Sequence, residues 1–221
     1  MTSPVLVDND VIIKMSCYTL GDELVDCLSI KETPPAILKV ASFVVRGRIK
    51  KSRSLVNREV AGRHLEALLP RLMTVEPTTA EVDLAATYEA KAQELNLELD
   101  SGESQLLAIL MVRGLELMLT GDKRAIHAVE RIAGADLERP RVACLEQAIA
   151  TIVQQTDFAD IRARICREPA ADRAISICFS CASQVSSVSS IVEGLRSYIK
   201  LVRAQAPRVL LPANDLSGVI A

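Results

Sequence analysis

The chain has no tryptophan and only three tyrosines and three phenylalanines among 221 residues. Single-stranded bases are commonly gripped by stacking on aromatic faces, so a stacking platform is not expected. Histidine occurs only as His64 and His127. That leaves Cys178, Cys181 and Cys166 short of the paired ligands a structural zinc site uses. An excess of one charge is lacking as well: 26 basic and 28 acidic residues leave a net charge of −2. Whole-molecule attraction to a polyanion is thereby excluded, and any basic surface must be local. Long apolar runs are also missing, because LLAILMV stops at Arg113 and KVASFVV stops at Arg46. Both fall far short of the about 18 apolar residues of a membrane helix, so no contact with a bilayer is expected. The first residues carry no basic region followed by an apolar run and a small-residue cleavage site, which points to a cytoplasmic protein. Six cysteines lie scattered through apolar segments, and reduced core thiols are the expectation there.

What is present is an alternation of short apolar runs with longer helical patterns. PVLV ahead of Asp8, LMTVEP, LELMLTGD and Val142 to Cys144 read as four strands, the first of them buried. Between them the periodicity and the Pro, Gly and Thr punctuation predict helices over about 10–19, 22–30, 36–51, 55–69, 78–95, 101–112 and 123–132. Strands interleaved with helices predict an α/β fold, with a mostly parallel sheet of four or more strands flanked by helices. After about residue 145 the strands cease, so the chain divides into a domain over 1–145 and a helical extension over 146–221. Within the extension, the serine-rich patch from Ser183 to Ser190 reads as a flexible joint or helix cap. The stretch from Pro207 onward reads as an extended tail that docks on another surface.

Acidic residues sit where strands should end or helices begin: Asp8 and Asp10 after PVLV, Asp100 and Glu103 in LDSGE, Asp122 in LMLTGD. The C-terminal ends of parallel strands converge on one sheet edge, where ligands bind, so acids from distant segments can gather there. Gathered carboxylates repel unless a cation lies between them, and a hard divalent ion bound through oxygens resolves the repulsion. Each acid also has a plainer role. Asp10 suits a helix N-cap, Asp100 to Glu103 has the spacing of a capping box, and Asp122 can cap the helix after it.

The order of these motifs, an apolar strand into Asp8, a helical middle, LDSGE, then an apolar strand into Thr-Gly-Asp, resembles the PIN-domain family of metal-dependent nucleases. The likeness covers roughly residues 4 to 145 and rests on motif order and spacing. It implies a Rossmann-like sheet with an acidic pocket that holds Mg²⁺ or Mn²⁺ and hydrolyses phosphodiesters, most often in RNA, with DNA not excluded. By position, Asp8, Glu103 and Asp122 match the metal-binding acids, and Thr120 matches the threonine two residues before the last. Asp10 or Asp100 would then act from just outside the ligand set. The family's further acid, in the helical region between Asp8 and Glu103, has Glu59 and Glu66 as its candidates here. Family members include toxins neutralised by a small antitoxin, so an antitoxin or other protein partner and a homo-oligomer belong to the same expectation.

Arg46, Arg48, Lys50, Lys51, Arg53, Arg58 and Arg63 form a basic run with no acid before Glu59. It reads equally as a phosphate-binding surface or as cations complementing a helix C-terminus. Lys123 and Arg124, beside Asp122, are smaller candidates for phosphate contact. Two other functions fit parts of the pattern. VLVDNDV also resembles the strand-Asp-x-Asp opening of haloacid-dehalogenase-like phosphatases, in which Asp8 would be the nucleophile and Asp10 the general acid. A PIN-like module with an incomplete acid set, binding a partner through its C-terminal helices, is the non-enzymatic alternative.

Overall fold

A computed structural model describes residues 3–139, 141–183 and 187–219. Five short strands, β1 (Leu6–Val7), β2 (Ala36–Leu38), β3 (Met73–Val75), β4 (Met118–Thr120) and β5 (Val142–Cys144), form one sheet in the order β3-β2-β1-β4-β5. Every pairing is parallel. Strands β1, β2, β4 and β5 are buried along their whole length, as expected where helices cover both faces of a parallel sheet. Among the described residues no helix is long and apolar enough to cross a membrane.

The helices are α1 (Asn9–Cys17), α2 (Gly21–Leu28), α3 (Ala41–Lys51), α4 (Arg58–Leu68), α5 (Thr79–Glu94), α6 (Ser101–Arg113), α7 (Lys123–Ile132), α8 (Leu145–Gln155), α9 (Phe158–Cys166), α10 (Arg173–Cys178) and α11 (Val188–Gln205). Local chemistry sets their ends. Thr78 and Glu81 form a capping box on α5, Asp100 and Glu103 form another on α6, and Gly114 closes α6 in the left-handed conformation with φ 61°. Glu81 also receives Arg113 at 2.7 and 2.8 Å, tying the start of α5 to the end of α6. Leu106 to Leu110 in α6 are all fully or almost fully buried, which accounts for a helix apolar on every side.

Two expectations are corrected. Residues 36–51 are not one helix: Ala36–Leu38 form β2, between β1 and β3, and the helix starts at Ala41. A three-residue apolar run joined to a helix carries no period of its own, so its strand character is invisible until neighbours pair with it. The sheet accordingly has five strands, as the expectation of four or more allowed, with β2 added to the four runs singled out. Nor are all the thiols free, since Cys166 and Cys181 form a disulfide while Cys17, Cys27, Cys144 and Cys178 are buried and free. Cys181 is thereby withdrawn from any metal-ligand set.

The chain after residue 145 packs onto the sheet's core. The tail docks on this chain itself: Val209 accepts from Arg141 and Val142 at 3.1 and 2.9 Å, and Leu211 N donates to Val142 at 2.8 Å. Leu210 forms a parallel bridge with Val142, so the tail lies along β5 at the sheet edge. Glu130 holds it there through Arg208 and the amide of Val209. The serine-rich joint falls partly outside the described residues, and Ser187 caps α11.

Candidate active site

The strand order places the sheet's switch point at β1. From there the chain adds β2 and β3 on one side and later β4 and β5 on the other. The crevice beyond the C-terminal ends of the strands at such a point is where doubly wound sheets bind ligands. Strand β1 delivers Asp8 there, and β4, paired to it through Val7 and Leu119, delivers Asp122. The start of α6 arrives beside them: a Cβ on Gly102 would lie 3.2 Å from Asp100 Oδ1 and 3.7 Å from Asn9 Nδ2. A pocket of about 320 Å³ results, lined by Asp8, Asp10, Asp100, Glu103 and Asp122 together with Glu98, Leu99, Arg48 and Arg124.

Three helix N-termini meet at this pocket, and the acids are their capping groups. Asp8 Oδ2 accepts from the Asp10 amide at 3.2 Å and Asp122 Oδ1 from the Arg124 amide at 2.8 Å. Asp100 and Glu103 exchange 2.9 and 3.0 Å bonds. Capping explains each acid singly and leaves their convergence unexplained. The positive ends of three helix dipoles offset part of the repulsion among them. Asp10 is not a cap. It lies in the first turn of α1, and its Oδ2 is held by Lys14 Nζ at 2.6 Å. Thr120 is buried, and its hydroxyl accepts from the Asp122 amide at 3.1 Å, fixing the turn from β4 into α7.

The electrostatics are strained where the acids are deepest. Burial, with Asp100, Asp8 and Asp122 nearby, lifts the Glu103 carboxyl to about 8 against the backbone bond that stabilises its charge. Burial, with Asp10 and Asp100 adding to it, lifts Asp8 to about 6. Asp122 runs the other way. Its partial burial would raise it, but the hydrogen bonds and charge of Arg124 hold it below the usual carboxylate range.

Gly121 is fixed by close approach. A Cβ there would fall 2.2 Å from Asp10 Oδ2 and 3.2 Å from Lys14 Nζ. Gly121→Ala therefore drives the Asp10 carboxylate off Lys14 and costs about 1 kcal/mol, the low end for overpacking, because the obstructing atoms are side-chain ends that can move. A denaturant titration in which Asp10→Ala suppresses most of that cost confirms the clash as its source.

The predicted site residues separate into those at the pocket and those elsewhere. Asp8, Asp10, Asp100, Glu103, Asp122, Arg48 and Arg124 line it. Arg48 Nη2 lies 3.9 Å from Asp100, and Arg124 bridges Asp122 and Glu98 at 3.0 and 2.6 Å. Lys123 turns away to Glu146 of α8 at 2.6 Å. Arg46 is paired with Glu66, and these two line a separate cleft between α3 and α4 with Lys50 and Glu59. Glu59 and Glu66 thus stand away from the acid pocket, and α3 offers it Arg48 instead of an acid. Lys51 lies on the outer face of α3, and Arg53 follows that helix.

Sequence reasoning missed Glu98, Lys14 and Asp172. Glu98 lies just outside LDSGE. Lys14 bridges Asp10 and Asp172, both at 2.6 Å. Asp172 comes from the extension and caps α10, accepting from Ile175 at 3.0 Å, a contact that no local signal announces.

The donor set suits a hard divalent cation in kind: six carboxylates line one pocket, and burial, with the neighbouring acids adding to it, drives the two deepest toward protonation. The shell is not preassembled: no group of three or more Asp, Glu, His or Cys side chains among the described residues is placed to hold a metal ion as it stands. Glu103 and Asp122 are engaged by their own helices, and an ion would have to draw them inward. Comparison with known proteins finds no similarity on which to lean: no family model, curated protein or solved structure matches this chain.

Proposed function

We propose that this protein is a Mg²⁺- or Mn²⁺-dependent PIN-like ribonuclease, with Asp8, Glu103 and Asp122 as the metal-binding acids. The observation that carries the reading is the convergence of carboxylates from β1, β4 and the start of α6 on one pocket at the sheet's switch point. A divalent cation held there would supply charge neutralisation and Lewis acidity toward a phosphodiester. The chain's own cations serve the substrate. Arg48 and Arg124 flank the pocket from opposite elements and suit contact with phosphate oxygens. Lys14 keeps Asp10 oriented at the rim, where Asp10 can accept a proton from an attacking water. A cytoplasmic location, and a toxin role with a protein antitoxin, belong to the same reading.

A second reading is favoured by one observation: α3 brings Arg48 to the pocket and no acid. A site with a reduced acid set would bind without cutting, as an interaction module. The phosphatase alternative asks Asp10 to donate a proton to a leaving group, whereas Asp10 Oδ2 is turned to Lys14 Nζ at 2.6 Å.

The test is incubation of end-labelled structured and unstructured RNAs with purified protein in Mn²⁺, Mg²⁺ or EDTA, beside a folded Asp122→Asn variant. Metal-dependent cleavage, lowered at least about a hundredfold in the variant, as losses of key electrostatic groups usually are, is the expected result. Absence of cleavage across the panel refutes the nuclease, and retained cleavage by Asp122→Asn refutes the assigned site. Turnover of p-nitrophenyl phosphate without RNA cleavage would identify the phosphatase.

A further inference from the structure

The outer face of α3 carries a feature that the acid pocket does not use. Helix α3 buries Ala41, Val45 and Ile49 and leaves Phe43 77% exposed, with Val40 at 59% and Val44 at 37%. Phe43 is the one exposed aromatic among the described residues; Tyr18, Tyr88 and Phe179 are buried and Phe158 and Tyr198 partly so. Phe43, Gly47 and Lys51 follow one another at a spacing of four, so they form a single row spanning about 12 Å of helix. Val44 and Arg48 form the row beside it. Together with Ser52 these residues line a shallow cleft of about 570 Å³. A Cβ on Gly47 would touch nothing within 4 Å, so packing does not require glycine there, and its bareness leaves a notch between the ring and the ammonium.

Arg48 belongs to both this cleft and the acid pocket, so the two adjoin at its side chain. Its charge is uncompensated on the outer side. Arg46, on another face, is neutralised by Glu66, whereas no carboxylate among the described residues pairs with Lys51. A second copy of the chain docking here about a two-fold axis would set Arg48 and Lys51 against their own counterparts, which like-charge repulsion disfavours. A ligand that alternates flat apolar rings with negative charge fits both the ring and the cations, and single-stranded nucleic acid has that alternation.

We propose that the outer face of α3 is a docking track for single-stranded nucleic acid. Phe43 stacks a base, Lys51 and Arg48 take flanking phosphates, and Arg48 passes the strand to the acid pocket. Choosing nucleic acid over an acidic peptide rests on the nuclease reading of that pocket; the surface itself does not. The track is a local platform built on one ring, which the low aromatic content of the chain did not suggest.

The test is binding of a fluorescein-labelled oligouridine and of a matched RNA duplex, followed by anisotropy in EDTA so that nothing is cut. Variants are Phe43→Ala, Phe43→Tyr and Lys51→Ala, each checked by circular dichroism. Phe43→Ala should weaken single-strand binding roughly five- to a hundredfold, the range for loss of one stacked base, while Phe43→Tyr restores it. Lys51→Ala should lower the salt dependence of binding. Because the chain has no tryptophan, Phe43→Trp places a sole tryptophan on the track, and oligouridine should quench its emission. Equal affinity of Phe43→Ala and wild type, or tighter binding of duplex than of single strand, overturns the proposal. So does a Phe43→Ala change confined to oligomeric state in light scattering, which would reveal a second copy as the occupant. Phe43-dependent binding without cleavage in Mn²⁺ would keep the track and remove the nuclease. Cleavage with Phe43-independent binding would do the reverse.

Discussion

Glu103→Gln should make the metal-free protein more stable above neutral pH while removing its proposed metal site. The carboxyl titrates near 8 in the folded protein against an ordinary 4.5. Between those values the folded state keeps a proton that the unfolded chain has released. The native form therefore binds more protons, and unfolding free energy falls as pH rises through the window, levelling above about 8. Glutamine fills the same space, keeps an oxygen for the Asp100 amide and has no charge to desolvate. At about 1.4 kcal/mol per pH unit, the variant gains roughly 3–5 kcal/mol at pH 9 and almost nothing at pH 4. Asp8→Asn should behave in the same direction with a smaller effect, since Asp8 is raised from 3.8 to about 6. Urea titrations at several pH values in EDTA provide the measurement. A wild-type protein whose stability stays level from pH 5 to 9 would show that Glu103 is not destabilised in the fold. Adding Mn²⁺ should narrow the gap between wild type and Glu103→Gln, because a cation that binds the ionised carboxylate stabilises only the protein that has one.

Lys123→Met is expected to be the most damaging single change near the site. Glu146 is fully buried in α8, and Lys123 Nζ at 2.6 Å is the cation that faces it. Neither Glu146 oxygen has a conventional hydrogen-bond partner among the described residues, so the ion pair is its compensation. Removing one member of a buried pair leaves an unscreened charge and costs about 3–5 kcal/mol. The double variant Lys123→Met with Glu146→Leu should recover most of that, because two apolar groups of similar size replace the pair. Unfolding curves of the two single variants and the double complete the cycle. Additive losses would mean that the pair does not couple α7 to α8.

The sheet and most helices were legible because the chain punctuates them. PVLV and LELMLT are apolar runs bounded by breakers, VAC is a short apolar run after Pro140 and Arg141, and Thr78 announces its helix as an N-cap and Asp100 by a capping box. Ala36–Leu38 escaped because three apolar residues leading into a helix have no period to read, and only β1 and β3 on either side make them a strand. At the site, the legible part was the one fixed by strand ends: Asp8, Asp122 and the LDSGE acids share a pocket because parallel strands end on one edge. What escaped depends on long-range folding. Asp172 reaches Lys14 only because the extension returns to the sheet, Lys123 faces Glu146 for the same reason, and Arg48 enters the pocket through the placement of α3. Cys166 and Cys181 are brought together by the turn that contains Asp172, so their pairing was equally beyond a local reading.

The position of β1 also governs when this molecule can fold. Of the five described strands the central one is made before the others, and Leu6 pairs with Ala36 on one side and Met118 on the other. Those partners follow 30 (36 − 6) and 112 (118 − 6) residues later. One edge of Val5–Val7 therefore stays open while those 112 residues are added, at about 5–20 residues per second. Contacts so distant in sequence close slowly. During that interval the segment carrying Asp8 is an unpaired apolar strand, so chaperone capture or aggregation competes with assembly until β4 arrives.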